Sequence, residues 1–94
     1  MDKEVLKIEL NLEMERMDII NEVLDAILKN NKWSIRDGEI VFENEVAGKV
    51  YSNSIKAYRE SNEKFNSLEE ECRRLKLYDI IKDIVVEKIE KGIL

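Results

Sequence analysis

The densest group of charged side chains in this sequence lies near residue 70. Three consecutive glutamates, Glu69–Glu71, are followed closely by Arg73 and Arg74. Such a group suggests a clamp for a metal ion or a charged substrate. Consecutive residues of a helix diverge by about 100° around its axis, however, so the three carboxylates cannot converge on one ion. The spacing instead predicts surface ion pairs, between Glu69 and Arg73 and between Glu70 and both arginines.

The single cysteine, Cys72, is a second candidate for chemistry. It follows Leu68 by four residues and precedes Leu75 by three, which predicts a small buried side chain on an apolar helical stripe. The chain contains no histidine, so it lacks the usual base that activates a cysteine and the commonest ligand of transition metals. It also lacks a glycine-rich phosphate loop and a Cys-x-x-Cys motif. We expect no catalytic residues, no metal, no cofactor and no small-molecule substrate, and hence no enzyme.

Three tyrosines, Tyr51, Tyr58 and Tyr78, are candidates for stacking on nucleic-acid bases. Stacking of this kind needs aromatic rings on an exposed platform with cations between them. Tyr51 and Tyr58 are seven residues apart, in phase with an apolar helical stripe, and Lys56 is the nearest cation. This spacing favours packing in the core or at its rim.

The overall charge limits the kinds of partner. Of 94 residues, 16 are Lys or Arg and 21 are Asp or Glu, which gives a net charge of −5. Nucleic acids and anionic membranes bind clustered positive charge, so we expect neither as a direct partner. No apolar run approaches the roughly 18 residues of a transmembrane helix. One cysteine cannot form an internal disulfide, and no apolar signal segment follows Met1, so we expect a cytoplasmic location.

The elements that would position these side chains begin with an alternating segment. Four apolar residues are separated by polar ones and predict a β-strand over residues 6–12: Leu6, Ile8, Leu10 and Leu12. From about Glu15 the apolar residues recur every three or four positions, which predicts a helix. Asn30 and Asn31 would end this helix, because asparagine tolerates the left-handed cap conformation.

A β-hairpin is predicted next, around Asp37-Gly38. This dipeptide between two β-prone runs favours a type I′ turn, which needs positive φ at both central residues. A two-residue loop fixes the register of the strands. The expected pairs are Arg36 with Glu39, Ile35 with Ile40, Ser34 with Val41, Trp33 with Phe42 and Lys32 with Glu43.

The helical period returns after the hairpin, with Asn44 as the predicted N-cap. The apolar stripe thins near residues 61–66, and Ser67 with Glu70 matches a capping box, so a break or kink is expected there. One long helix is the alternative. Gly92 is a natural stop for the last helix.

Together these elements predict one α+β domain over residues 1–94, in the order β-α-β-β-α or β-α-β-β-α-α. A C-terminal helical extension would run from about residue 61 to residue 94. The three strands would form an antiparallel sheet with the helices packed on one face. The inner face would consist of Leu6, Ile8, Leu10, Leu12, Trp33, Ile35, Ile40 and Phe42.

The outer face of that sheet would be polar except for Val41. An isolated apolar residue on a polar face marks a surface on which a partner can pack. The last helix has a broad apolar stripe that includes Ile81 and Val85, and this stripe suggests more than one neighbour. We therefore expect a protein partner or a second copy of the chain to bind at Val41 or at the last helix.

The segment from Gly48 to Ser54 resembles part of the small Pcc-type subunit of the KEOPS complex. That family has the order strand, helix, hairpin, helix, and its last helix begins near a Leu-Arg-x-x-x-Asn-Ser pattern. Here Asn53 and Ser54 match, whereas Lys49 stands in place of Arg and Gly48 in place of Leu. The resemblance covers roughly residues 4–60, and a diverged paralogue of that subunit fits it better than the standard subunit does.

The resemblance implies a non-catalytic subunit that dimerises side by side. It would dock onto the catalytic subunit of a complex that makes threonylcarbamoyl-adenosine in tRNA. We accordingly expect Lys49, Asn53 and Ser54 at a partner interface, together with Val41, Ile81 and Val85.

The leading functional hypothesis is therefore a non-catalytic interaction or dimerisation module that serves as an accessory subunit of a larger complex. The alternative is a small acidic regulator or inhibitor from a phage, plasmid or archaeal virus that binds a host protein. An acidic stripe on the outer sheet face would support this alternative: Glu9, Glu13, Glu39 and Glu43. A third possibility is an enzyme that relies on carboxylates or tyrosine alone.

Overall fold

The computed structural model describes residues 2–92, which form three helices and one β-hairpin. The elements are α1 (Lys3–Asn30), β1 (Trp33–Arg36), β2 (Glu39–Phe42), α2 (Glu45–Arg74) and α3 (Tyr78–Glu90). The predicted three-stranded sheet and the β-α-β-β-α order are wrong, because the described residues form a two-stranded sheet in the order α-β-β-α-α. None of these three helices is both long enough and apolar enough to cross a bilayer.

The segment predicted as the first strand is the beginning of α1. Its alternating apolar residues also fit a helix, because Leu6, Leu10 and Met14 recur every four residues. All three are buried. Ile8 and Leu12 were expected on the same buried face. On a helix they lie on the opposite side from Leu6 and Leu10, and both are exposed.

Side chains cap both ends of α1. At the start, Asp2 Oδ1 accepts a hydrogen bond from the Glu4 amide at 3.2 Å. At the end, the Nδ2 groups of Asn30 and Asn31 donate to carbonyl oxygens one turn earlier, at 2.9 and 3.0 Å. The predicted stop is confirmed, but Asn31 has a φ of −130°, so a left-handed cap does not end the helix.

The hairpin forms with the predicted register. Trp33 pairs with Phe42, Ser34 with Val41, Ile35 with Ile40 and Arg36 with Glu39. Asp37 and Gly38 have φ values of +51° and +79°, as a type I′ turn requires. The Glu43 amide donates to the Lys32 carbonyl at 3.1 Å and extends the pairing by one step.

Helix α2 continues through the residues that were predicted to interrupt it. Ser61 is buried, and Ser67 donates from its Oγ to the Glu63 carbonyl at 3.1 Å as a residue in mid-helix. The predicted break at residues 61–66 is therefore wrong, and α2 ends at Arg74.

A Schellman motif separates α2 from α3. The Leu77 amide donates to the Cys72 carbonyl at 2.7 Å, and the Lys76 amide donates to the Arg73 carbonyl at 3.0 Å. Lys76 adopts a φ of +58°, the left-handed conformation that glycine usually supplies at this position. Because no glycine marks the turn, the local sequence gives little sign of it.

The core lies at one end of the molecule, where α3 packs against the first half of α1 and the last part of α2. Its buried residues come from all three helices: Leu6, Leu10, Met14, Leu68, Cys72, Ile80 and Ile84. At the other end, which holds the hairpin, Ala47 is the one buried hydrophobic residue among those described. The radius of gyration is 16.3 Å, against about 12 Å for a compact chain of this length. The molecule is therefore elongated, with a core at one end.

Candidate interaction surfaces

An open cleft lies between β2 and the first turns of α2. Its volume is about 670 Å³. Its walls include apolar residues of β2 and polar residues of α2, and we call it the hairpin cleft: Val41, Phe42, Lys49, Tyr51, Ser52 and Asn53. An apolar wall beside a polar rim is the usual composition of a protein-binding surface.

Two local interactions set the geometry of the hairpin cleft. Asn44 Oδ1 accepts hydrogen bonds from the amides of Val46 and Ala47, at 2.9 and 3.3 Å, and so fixes the start of α2 as predicted. The rings of Phe42 and Tyr51 pack with their centroids 5.2 Å apart at an interplanar angle of 52°. This tilted aromatic contact holds β2 against α2.

The structure brings together three of the six residues predicted at a partner interface. Val41 is 42% exposed, and it lines the hairpin cleft together with the exposed Lys49 and Asn53. The other three are half-buried and lie outside the hairpin cleft: Ser54 on α2, and Ile81 and Val85 on α3 against the core.

A second exposed apolar surface runs along α1. It consists of five side chains that are 39–61% exposed, which we call the α1 stripe: Val5, Ile8, Leu12, Ile19 and Val23. At 100° per residue these positions fall within about 60° of one another around the helix. The α1 stripe extends for about 27 Å along the axis, on the side away from the buried Leu6 and Leu10.

Sequence reasoning missed the α1 stripe because the predicted strand placed Ile8 and Leu12 on a buried face. The signal that finds it is the spacing of three, four, seven and four residues from Val5 to Val23. This spacing is helical and resembles that of a coiled-coil seam. It becomes visible once residues 3–30 are treated as one helix.

A buried glutamate connects α1 to α2. Glu13 is 1% exposed, and its Oε1 lies 3.0 Å from Arg16 Nη1 and 3.2 Å from Lys64 Nζ. Its Oε2 is also buried and has no hydrogen-bond partner among the described residues. Because burying a half-paired carboxylate is costly, the two ion contacts of Glu13 add little net stability.

A buried lysine connects α3 to α1. Lys88 Nζ lies 3.9 Å from Glu15 Oε1 and 3.9 Å from Asp18 Oδ2, and the lysine side chain is 9% exposed. Contacts of this length are charge interactions rather than hydrogen bonds. They place the end of α3 beside the middle of α1.

The charged residues near position 70 and Cys72, which the sequence offered as candidates for chemistry, form ion pairs or are buried. Arg73 pairs with Glu69 as predicted, whereas Arg74 pairs with Glu71 and not with Glu70. Cys72 is buried as predicted, and burial raises the pKa of its thiol, as do the charges of Glu71 and Glu69. A buried, protonated thiol is a poor nucleophile. Over residues 2–92, no group of three or more potential ligands is arranged to hold a metal ion.

The three tyrosines differ in how far their side chains are exposed to solvent. Tyr51 and Tyr58 are half-buried, which confirms packing at the rim, whereas Tyr78 is exposed at the start of α3. Tyr51 lies against Phe42 and lines the hairpin cleft.

The acidic stripe expected across the sheet does not form. Glu39 belongs to β2 and Glu43 follows it, whereas Glu9 and Glu13 belong to α1. Glu13 is buried against α2. The four carboxylates therefore share no sheet face.

No protein-family model, curated protein or solved structure matches this chain. Its functional assignment therefore depends on the geometry of the hairpin cleft and the α1 stripe.

Proposed function

We propose that this protein is a non-catalytic interaction module that works as a dimer or as an accessory subunit of a larger complex. The distribution of apolar side chains carries the proposal. Within residues 2–92, eight hydrophobic residues are buried and fourteen large ones are at least 39% exposed. Monomeric globular proteins rarely leave large contiguous apolar surfaces uncovered. Covering such side chains is favourable by about 1.5–3 kcal/mol for each one that becomes fully buried.

The elongated shape supports the same proposal. The hairpin end of the molecule has a single buried hydrophobic residue, Ala47, among those described. A partner that covers the apolar surface there would supply the packing that this end lacks, and it would stabilise the folded chain by mass action. We also propose a cytoplasmic location, which the lone Cys72 supports because it forms no internal disulfide.

A tRNA-modifying complex of the KEOPS type remains the specific complex that we propose. Its support is the short pattern of Lys49, Asn53 and Ser54. Two of these residues, Lys49 and Asn53, line the hairpin cleft, where a partner can reach them. The first strand of that family is replaced here by α1, so the choice of complex depends on this short pattern.

The proposal is tested by purifying the tagged chain from its native host and by sedimentation equilibrium of the purified chain. We expect self-association, a stoichiometric protein partner, or both. A chain that stays monomeric at high concentration and co-purifies with no stoichiometric partner would contradict the proposal.

The role of the hairpin cleft is tested by Val41→Lys, which places a charge in its apolar wall. We expect a partner bound there to be lost while the fold survives, because Val41 is exposed on β2. Tyr78→Lys is the matched control, since Tyr78 is exposed on α3, outside the hairpin cleft. Equal recovery of the partner with both variants would place its binding site elsewhere.

A further inference from the structure

We propose that the free edge of β2 binds an extended segment of another protein, which adds to the hairpin as a third, antiparallel strand. The segment has three apolar residues between two basic ones. This inference rests on the proposed interaction function, and it names the mode of binding and the chemistry of the partner. The backbone of β2, the space beside it and the charges on one of its faces carry the inference.

The register of the hairpin leaves the backbone of two β2 residues unpaired. The Glu43 amide donates to the Lys32 carbonyl, so these two residues form a hydrogen-bonded pair. Such pairs alternate along an antiparallel ladder, and the amides and carbonyls of Ile40 and Phe42 therefore point away from β1. No backbone hydrogen bond joins these four groups to α2 or to a loop of residues 2–92. An unpaired row of this kind is a template for a further strand.

Open space follows this edge along the whole of β2. The hairpin cleft contacts residues 40–42, and a second cleft, of about 460 Å³, contacts residues 39 and 40. Successive residues of a strand point to opposite faces, so a surface that contacts all four runs along the edge of the strand. The two clefts share Tyr51 and Ser52 of α2, and together they form one groove between β2 and that helix.

The side of an added strand that faces α2 would meet apolar side chains. The Phe42 ring packs against Tyr51, so Phe42 and Ile40 both point towards α2. Tyr51 and Ile55 are half-buried in the wall of the groove. The two residues of the segment that lie beside Ile40 and Phe42 are therefore apolar.

The walls of the groove carry charges of both signs. Glu45 and Lys49 line the hairpin cleft, and Glu39 and Arg59 line the second cleft. The walls therefore do not select the charge of the segment.

The face of β2 that points away from α2 selects a basic segment. Glu39, Val41 and Glu43 share this face, and all three are exposed. Arg36 and Lys32 lie opposite the two carboxylates in the register, but neither carboxylate forms a salt bridge within residues 2–92. An added strand complements this face with an apolar residue beside Val41 and a basic residue on either side of it. The net charge of −5 also favours the approach of a basic partner.

A second copy of this chain is a poorer occupant of the edge. Pairing β2 with β2 of another copy through all the free groups sets Glu39 opposite Glu43 of that copy, twice, and like charges repel. Pairing β2 with β1 of another copy would match the charges. That arrangement sets the copies two strand spacings apart, about 9.6 Å, whereas the molecule is 19 Å across in its narrowest dimension. Neighbouring copies would therefore overlap.

The chemistry of the partner is tested with a fluorescent peptide, Ser-Lys-Ile-Val-Ile-Lys-Ser, whose anisotropy reports binding to the full chain. In the proposed register its valine lies beside Val41 and its isoleucines lie beside Ile40 and Phe42. We expect saturable binding, and roughly tenfold weaker binding of a matched peptide with glutamates in place of both lysines. Equal binding of the two peptides, or binding of neither, would overturn the inference.

Backbone pairing is tested with N-methylated peptides, which leave the protein unchanged. Methyl groups on both isoleucine amides remove the N–H groups that donate to the Ile40 and Phe42 carbonyls. We expect binding at least tenfold weaker than that of the unmodified peptide. A methyl group on the valine amide is the matched control, because that amide points away from β2. Equal effects of the two modifications would refute strand addition.

Hydrogen exchange locates the peptide on the chain. The peptide should slow the exchange of the Ile40 and Phe42 amides at least tenfold and leave the Val41 amide, which already bonds to β1, little changed. Protection of the Ile40 and Phe42 amides in the concentrated chain alone would show that a second copy occupies the edge, and the proposed occupant would then be wrong.

The charge preference is tested by Glu39→Gln combined with Glu43→Gln. We expect this variant to bind the lysine and glutamate peptides within about threefold of each other, because the complementary charges are gone. Glu60→Gln with Glu63→Gln is the matched control and should keep the preference, since both glutamates are exposed on α2 outside the two clefts. A full preference in the first variant would contradict the role given to this face of β2.

The outcomes separate this inference from the proposed function. A chain that co-purifies with a stoichiometric partner but binds none of the peptides would overturn strand addition, while the interaction function would stand. A chain that stays monomeric and binds neither a peptide nor a partner would contradict both.

Discussion

Two buried charged residues, Glu13 and Lys88, each connect α1 to another helix. Glu13 meets Lys64 of α2, and Lys88 of α3 meets Glu15 and Asp18. Neither role was predicted from the sequence, because the expected strand placed Glu13 among the exposed carboxylates of the outer sheet face. Their partners are known only when the three helices are placed together.

We predict that Glu13→Met raises the free energy of unfolding by about 1 kcal/mol. Methionine fills the buried space without a half-paired carboxylate, and Lys64 and Arg16, each 57% exposed, return to water. Urea denaturation monitored by circular dichroism measures the change. Glu13→Ala is the control and should be destabilising, because it leaves a cavity. A large loss of stability in Glu13→Met would show that the ion pair is a net stabilising contact.

The pKa of the Cys72 thiol predicts a pH effect on stability. Burial raises this pKa above its ordinary value of 9.0. As the pH rises through that value, the unfolded chain loses the proton while the folded chain keeps it, so stability falls. We expect the free energy of unfolding to fall more steeply above pH 9 in the wild type than in Cys72→Ala. Identical pH profiles would contradict a buried, protonated thiol.

Reactivity of Cys72 gives a second measurement of the same environment. A thiol that is exposed only by opening of the fold should react with a disulfide reagent at pH 8 roughly a hundredfold more slowly than in urea. Rapid reaction of the native chain would place Cys72 at the surface.

At the scale of elements, local chemistry predicted the hairpin and several helix ends. Asp37-Gly38 fixed the turn and the register, and Asn44 formed the expected cap, because these signals need only a few neighbouring residues. The start of α1 was not predictable in this way. A period of two over seven residues also contains apolar pairs four apart, such as Leu6 with Leu10, so packing against α2 and α3 decides the outcome.

The end of α2 was missed for a different reason. The position that needs a left-handed backbone is occupied by Lys76 and not by glycine. The Ser67 and Glu70 pattern matched a capping box, but Ser67 lies in the interior of α2. A local pattern was thus mistaken for a helix start.

We predict that Lys76→Gly stabilises the protein by about 1 kcal/mol, because glycine adopts the left-handed conformation without a steric cost. Lys82→Gly is the matched control in the middle of α3, where glycine should cost about 1 kcal/mol. Both values are obtained from urea denaturation. Destabilisation by Lys76→Gly would contradict the Schellman motif at the end of α2.

At the scale of the whole molecule, the core and the interaction surfaces are unevenly distributed. The buried core occupies the end that contains α3, and the hairpin cleft lies at the other end. The α1 stripe extends along the helix that joins the two ends. Exposed apolar side chains are therefore present both at the hairpin end and along α1.

Of the two candidate surfaces, the sequence predicted part of the hairpin cleft and none of the α1 stripe. Val41, Lys49 and Asn53, predicted at a partner interface, line the hairpin cleft together. Trp33 and Ile35, predicted on the buried face of the sheet, are 43% and 65% exposed, because no third strand or helix covers β1 on that face of the hairpin. The α1 stripe was lost with the wrong strand, since an error in period moves Ile8 and Leu12 from the surface to the interior.

Self-association of the wild-type chain tests the account most directly. Light scattering coupled to size-exclusion chromatography would be run from about 1 µM to about 500 µM. We predict that the mass rises from the 11.1 kDa of one chain to twice that value as the concentration increases. A mass of 11.1 kDa throughout this range would contradict a dimeric interaction module.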